Sequence, residues 1–480
     1  MLVVQDKRRR GQATRREFLR VGALGAGALA SAGLVPGSAR GAGATLPAWA
    51  HDKAVVLLFL QGGPPQVECF DPKMDAPDGI RSCIGEIPTR LPGVTFGTTF
   101  PQLAKRADRL SIVRSFASGD GGHNPDPVLT GNSPLKATMG VHHSRLVGAN
   151  HPDTAMPSST VVLPEAIQPG LKLGTPTGPF RFSFIKQRYA LTGELGAPFK
   201  SLFLDGGDEL AENFELTLPR NRFDDRRLLL GQLDSLRRQL EKRGAADGLG
   251  DLRNQAYEVL LKGIGEAFDL SRESKSTLKR YDTRPYFRME DWHKGGIHYH
   301  NKVNKSRITN LLGHQMLLAR RLVERGCGFV TVVDCTWDFH NDGNNPAMVE
   351  GMNVLGPQAD HAVAAFMDDL ADRGLTDKVL LVVTGEMGRS PKKQTNGGTG
   401  HWARLTPLLV AGGGLKMGQV IGRTDRNGGE ATTNLYKPEH LHATILQTMY
   451  DASEARLDSR IPSDLNRLLT ATDPIRELMS

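Results

Sequence analysis

Val55 to Leu60 is an apolar run without a polar interruption, closed by Gln61-Gly62-Gly63-Pro64-Pro65. It predicts a fully buried parallel strand with a Gly/Pro turn at its carboxyl end. Phe329 to Val333 and Val379 to Val383 give the same signal late in the chain. Each follows a segment with apolar residues at three-to-four spacing, Ile308 to Arg325 and Gly356 to Arg373, and a glycine stands just past each, Gly326 and Gly374. Helix followed by buried strand is the pattern of an α/β protein with a doubly wound, mostly parallel sheet. A further strand is expected over Leu408 to Ala411, ended by Gly412-Gly413-Gly414.

Between these pieces, Phe223 to Ser274 is rich in Leu, Arg, Glu and Gln, with helical spacing at Leu228, Leu229, Leu233, Leu236 and Leu240. It carries no strand signal and no cluster of reactive groups. We expect a helical insertion over about residues 223–290 that acts as a lid or packing layer, within one domain spanning 50–480.

The amino terminus has a different character. Thr14-Arg15-Arg16-Glu17-Phe18-Leu19 precedes a weakly apolar, Gly- and Ala-rich stretch from Val21 to Val35, and Ala42-Gly43-Ala44 offers small residues for cleavage. This is the pattern of a twin-arginine signal peptide over residues 1–44, read by the twin-arginine translocase and removed outside the cytoplasm. Roughly 15 apolar residues are too few for a membrane span, which needs about 20, so the mature protein is expected without one, in the periplasm or outside the cell.

The leader also alters how the charge is read. Its eight basic residues, set against Asp6 and Glu17, account for six of the eight net positive charges. The remaining chain is nearly neutral, and no nucleic-acid partner is expected from it. Cys69, Cys83, Cys327 and Cys335 lack the paired spacing of a zinc ribbon or redox motif. Folding before export would meet a reducing compartment, so free buried thiols are expected.

In an open parallel sheet, ligands bind outside the carboxyl ends of the strands. After Phe329 to Val333 come Asp338 and His340, with Asn341, Asp342, Asn344 and Asn345 close behind; after Val379 to Val383 come Glu386 and Arg389, and then His401 beyond the Gly-rich loop Asn396 to Gly400. Carboxylates and imidazoles at one sheet edge are the donor types that hold a divalent cation for hydrolysis. Arg389 and Arg404 are candidates to grip an anionic group with a guanidinium fork. His142, His143, His293, His298, His300, His314, His361, His440 and His442 lie away from these strand ends and are expected to be structural.

Several segments together are more specific: Gly62 to Pro77, with Phe70-Asp71-Pro72-Lys73; Ala267 to Glu273; Leu318 to Gly326; Trp337-Asp338-Phe339-His340; and Thr384-Gly385-Glu386-Met387-Gly388-Arg389-Ser390-Pro391 with His401-Trp402. In this order they resemble a family of exported proteins of unknown function classed with alkaline phosphatases and sulfatases. The resemblance covers nearly all of the mature chain. It implies the doubly wound fold of that superfamily and one or two divalent metal ions, zinc, calcium, manganese or magnesium, at the sheet's carboxyl edge. Asp338, His340 and His401 match the ligands of a first metal, and Glu386 matches a carboxylate of a second. Where the superfamily usually has Asp-His, this chain has Glu386-Met387, and Met is a poor ligand for a hard cation. Asp71 joins the candidate ligands.

Sulfatases place a Cys or Ser nucleophile shortly before a Leu-Thr-Gly-Arg-x-Pro motif. Here Leu129-Thr130-Gly131-Asn132-Ser133-Pro134 is similar, but counting back reaches about Gly121, where no Ser, Thr or Cys stands. Ser118 is the nearest hydroxyl. His123 is the nearest group able to ligate or to act as base. The expected function is hydrolysis of a phosphate, sulfate or related anionic ester, small or polymeric, through attack by a metal-bound hydroxide. The alternative is a non-catalytic, metal-containing binding protein of the same fold.

Export is expected to require both arginines, because a general secretory signal tolerates Lys in their place. Arg15→Lys combined with Arg16→Lys should leave the protein in the cytoplasm on fractionation; undiminished export of the double variant would contradict the assignment.

Overall fold

The first apolar run forms β1 (Ala54–Gln61), a central strand of an eight-stranded sheet. A computed structural model describes residues 46–168, 171, 187–204, 265–288, 308–342 and 345–479. The other strands are β2 (Ser111–Val113), β3 (Ser159–Val162), β4 (Leu202–Leu204), β5 (Phe329–Cys335), β6 (Val379–Thr384), β7 (Leu408–Gly412) and β8 (Gln419–Ile421). Their spatial order is β8-β2-β7-β6-β1-β5-β3-β4. β1 pairs in parallel with β5, from Val55 opposite Phe329 to Gln61 opposite Cys335, and on its other flank with β6.

Alternation along β1 explains why every position had to be apolar. Val56, Leu58 and Leu60 pack with Leu317 and Leu318 of α2 (Leu312–Glu324) and with Val363 and Phe366 of α3 (Met348–Asp372). Val55, Leu57 and Phe59 face the opposite layer, with Met139 of α1 (Met139–Val147) and with Leu441 and Ile445 of α4 (Pro438–Met449). Helices therefore cover both faces, and the sheet is doubly wound.

Gly326 and Gly374 follow α2 and α3 with φ of 97° and 67°, the left-handed conformation that closes a helix. α3 begins eight residues before the expected start at Gly356. Met348, Met352 and Leu355 are buried and continue its apolar stripe, which carries the helix across Gly356-Pro357. A side chain at Gly356 would meet Thr99, its Cβ lying 2.5 Å from the Thr99 hydroxyl oxygen.

β7 forms where expected but runs antiparallel to both neighbours, the one reversed strand of this sheet among the described residues. Its terminal glycines therefore lie at the amino edge, where Gly413 N–H donates to the Thr376 and Val379 carbonyls at 2.9 and 3.0 Å. The short strands β2, β3, β4 and β8 had no counterpart in the sequence reading.

The four cysteines are free; Cys69, Cys327 and Cys335 are buried, whereas Cys83 is exposed, contrary to expectation, at a loop where its N–H and thiol lean on Glu68. Among the remaining histidines, His142 stacks on His442 across α1 and α4 at a ring separation of 5.0 Å, and His143 lies 2.6 Å from the Tyr450 hydroxyl, so these are packing groups. The signal peptide over 1–44, most of the insertion over 223–290, and His293, His298, His300 and Asn344 lie outside the described residues. The described part of the insertion folds into short helices, Gly265–Phe268 and Lys275–Arg280, and Arg321 of α2 donates to the Ala267 carbonyl at 3.0 Å. Among the described residues no helix is long and apolar enough to cross a membrane.

Phe366 is fully buried between α3 and the sheet. Phe366→Ala should lower the unfolding free energy by about 3–5 kcal/mol in a urea titration; a loss under about 1 kcal/mol would contradict this packing.

Candidate metal centre

Parallel pairing sends β1, β2, β5 and β6 out of the sheet at the same edge, so the segments that follow them meet there. After β5 the chain carries Asp338 and His340, each directly following a fully buried ring, Trp337 and Phe339. After β6 it forms a two-stranded ribbon that pairs His401 with Arg389 and Trp402 with Gly388. After β2 it supplies the Gly119–Asn124 loop, folded by Asp120, whose carboxylate accepts from Gly122 N–H at 2.7 Å and Asn124 Nδ2 at 3.2 Å. His123 leaves this loop from a left-handed backbone, φ 57°, a conformation that non-glycine residues adopt chiefly where their surroundings impose it.

These segments bring together His123, Asp338, His340 and His401, with one donor atom from each lying within 4.8 Å of all the others. His340 Nε2 stands 2.8 Å from His401 Nε2 and 3.0 Å from Asp338 Oδ1, and His123 Nε2 is 3.4 Å from Asp338 Oδ2. His401 directs Nδ1 at the Gly121 carbonyl, 2.6 Å away. A carbonyl only accepts, so Nδ1 carries the proton and Nε2 presents its lone pair to the cluster.

The electrostatics follow from this crowding. Burial alone would lower the His123 imidazole, but hydrogen bonds to Asp338 and Glu386 and the charges of both carboxylates outweigh it and raise its pKa to about 9. His401 is lowered to about 4, first by burial and then by the charges of His123 and Arg389. Burial favours the neutral form of Asp338, yet the hydrogen bonds from His123 and His340 and the charge of Arg389 hold it well below the usual carboxylate range.

Glu386 is fully buried at the same edge but behind the cluster. Its Oε1 accepts from Gln61 Nε2 at 2.6 Å and Gly62 N–H at 2.8 Å and lies 3.1 Å from His123 Nδ1. Gly62 has φ 123°, and a Cβ there would stand 2.6 Å from Trp337 N, so only glycine brings this N–H to the carboxylate. Arg389, a candidate fork for an anionic group, is buried with its guanidinium engaged. It donates through Nε to the Gly63 carbonyl at 3.0 Å and through a terminal nitrogen to Gly62 O, Trp337 O and Asp338 Oδ1, so its contacts brace Asp338. Arg404 is exposed and pairs with Glu430.

Two other candidates sit apart. Asp71 is buried between Lys73 at 3.2 Å and Arg114 at 3.3 Å and accepts from the Thr424 hydroxyl, so its charge is matched away from the cluster. Ser118 is buried; its hydroxyl donates to the Asp120 carbonyl at 3.4 Å and its N–H to Thr406 Oγ1 at 3.3 Å. Leu129 and Thr130 close the five-residue helix Asp126–Thr130, and Gly131 turns out of it at φ 61° beneath the His442 ring. Gln61 and Tyr189 were not singled out from the sequence, and Gly121 stood there only as the place where a nucleophile is missing. Only Gln61 gave a signal, as the polar residue ending a buried apolar run.

A family model described as protein of unknown function (DUF1501) matches residues 52–457. Comparison with curated proteins finds no match. Among solved structures, the sulfatase PsFucS1 from Pseudoalteromonas sp. aligns at a TM-score of 0.34 and 13% identity, over 86% of this chain and 69% of that one. The lipoteichoic acid synthase LtaP from Listeria monocytogenes aligns at 0.30 and 10%, over 88% and 79%. The C-terminal periplasmic domain of EcEptC from Escherichia coli, in complex with Zn, aligns at 0.31 and 8%, over 87% and 92%. At these identities and TM-scores the likeness says nothing of activity or ligand.

The raised His123 pKa has a direct consequence for the metal-free protein. Protonated His123 stabilises the fold below the unfolded value of about 6.5, and this contribution is lost as pH rises through about 9. In chelator, urea midpoints of the wild type should fall between pH 6.5 and 9.5, and His123→Ala should flatten that slope; equal slopes would contradict the bridging arrangement.

Proposed function

We propose that this chain, which belongs to the DUF1501 family, is an exported, metal-dependent hydrolase of a phosphate, sulfate or related anionic ester. The observation that supports it is the convergence of three imidazoles and a carboxylate from three separate connections onto one point at the carboxyl edge of the sheet. The donor set fits a divalent cation. Ligands about 2.0–2.2 Å from a common ion are separated from one another by about 3.4 Å in a tetrahedral shell, which the 4.8 Å spread of these atoms accommodates after small rotations. His340 Nε2 and His401 Nε2 face each other at 2.8 Å, an arrangement that two lone pairs tolerate only with a proton or a cation between them. Three nitrogens and one oxygen favour zinc over calcium, magnesium and manganese, which suit oxygen shells.

When bound, such a cation supplies Lewis acidity to the ester and to an attacking water. The chain's own residues do the positioning. Arg389 pins Asp338 through the same guanidinium that clamps the Gly62, Gly63 and Trp337 carbonyls. Gly121 fixes the His401 tautomer. No hydroxyl belongs to the four-residue group, and Ser118 turns its own to Asp120. This favours attack by water over a protein nucleophile. It is equally what supports the second reading, a protein that binds an anionic ligand at its metal without turnover. Export rests on Arg15-Arg16 and the short apolar stretch behind them.

The purified mature protein, assayed with several divalent metals against aryl phosphate, phosphodiester and sulfate esters, separates the two readings. Turnover is expected on at least one class; none on any, with metal bound, favours the binding protein. With an active substrate, His401→Ala and Asp338→Ala should lose roughly a hundredfold or more in kcat/KM, while Ser118→Ala stays within about threefold. An adduct trapped on Ser118 by rapid quench and mass spectrometry would refute water attack.

A further inference from the structure

Four groups form a buried hydrogen-bonded chain that ends at the cluster. The Tyr189 hydroxyl donates to Gln61 Oε1 at 2.5 Å, Gln61 Nε2 donates to Glu386 Oε1 at 2.6 Å, and Glu386 Oε1 lies 3.1 Å from His123 Nδ1. On the far side of its ring, His123 Nε2 faces Asp338. Tyr189 and Glu386 are 1% and 0% exposed, so the chain runs through a region from which water is excluded. Tyr189 is set by an edge-to-face contact with Phe59 of β1 at 5.7 Å, and Gln61 ends that same strand.

Resting on the metal-holding reading above, we infer that Glu386 is a positioning residue and not a ligand: it keeps the His123 proton on Nδ1, so that Nε2 serves as the fourth donor to the ion, and Gln61 and Tyr189 lock the carboxylate in place. The direction of the bonds requires this order. The Tyr189 hydroxyl donates to the carbonyl oxygen of Gln61, which leaves the Gln61 amide nitrogen to donate to Glu386. Gly62 N–H donates to both carboxylate oxygens, at 2.8 and 3.0 Å. Every one of these neighbours donates, so Glu386 is the acceptor throughout, and its partner on His123 is an N–H. A ring nitrogen that donates cannot also ligate, which leaves Nε2 for the ion. A buried carboxylate behind a ligating histidine also makes the imidazole a stronger donor.

Zinc alone is the probe. The wild type should bind it, and in the zinc-loaded protein 15N imidazole spectra should place the His123 proton on Nδ1. Glu386→Met removes the acceptor; it should keep the number of zinc equivalents, weaken Kd by roughly 10- to 100-fold and move the Nδ1–H signal upfield as its hydrogen bond is lost. Glu386→Gln keeps an acceptor oxygen without the charge; it should bind roughly tenfold weaker with the Nδ1–H signal retained, and it provides the reading if the Met variant does not fold. Loss of a whole zinc equivalent in either variant would make Glu386 a ligand and overturn the inference, as would unchanged Kd in both or a wild-type proton on Nε2. A wild type that binds no zinc, manganese, magnesium or calcium brings down the metal reading and this inference together. A metal-binding wild type whose affinity ignores Glu386 brings down the inference alone.

Discussion

Asp338 is one carboxylate on which three connections depend. It is 5% exposed and charged, and a buried charge of this kind persists only when it is matched and hydrogen-bonded. Arg389 provides that match from the ribbon after β6; the same terminal nitrogen also donates to the Gly62 carbonyl after β1 and the Trp337 carbonyl after β5, and Nε holds the Gly63 carbonyl. The guanidinium thus ties three strand ends through one ion pair. His123 and His340 complete the shell of Asp338 from two further directions. Removing Asp338 would leave the buried Arg389 guanidinium without a carboxylate partner, which typically costs about 3–5 kcal/mol. The cluster and the sheet edge are therefore one energetic unit.

The parts of this arrangement that the sequence disclosed are those encoded over enough residues to form a pattern. β1, β5 and β6 are six to eight residues long and buried on both faces, so their apolar runs were unmistakable, and the glycines behind α2 and α3 stood where left-handed closure needs them. Three-residue strands such as Ser111–Val113 and Gln419–Ile421 contain too few positions for alternation to be visible, and their pairing is decided by neighbours distant in sequence. The direction of β7 was equally hidden. An apolar run reads the same whichever way it is laid beside its partners.

Within the site, placing a residue at a strand end located Asp338, His340, Glu386 and His401 at the right edge but did not say which atom each would face. Glu386 turns to Gln61 and Gly62 because β1 ends beside it in space, a neighbour over 320 positions away in the chain. Arg389 read as a fork for an anionic group and is instead an internal brace, since its burial depends on carbonyls contributed by other connections. Asp71 shows the opposite limit. It stands in one of the segments that carried the family resemblance, yet the chain delivers it to Lys73 and Arg114.

The reversal of β7 bears on how this edge could vary. Because β6 and β7 are antiparallel neighbours, the chain between them leaves the sheet and re-enters it at the same edge, with no crossover helix. The segment carrying Glu386, Arg389 and His401 is therefore an excursion anchored at both ends on adjacent strands. Within it, Asn396 Nδ2 donates to the His340 and Asn341 carbonyls at 3.1 Å, and the Gly397 carbonyl accepts from Met348 N–H at the start of α3 at 3.0 Å, so this loop leans on the connection after β5. His401 is thus carried on an excursion that returns to its own edge braced by Asn396, so a change of length there would be felt first at His340 and at the start of α3 while the strand register stays fixed.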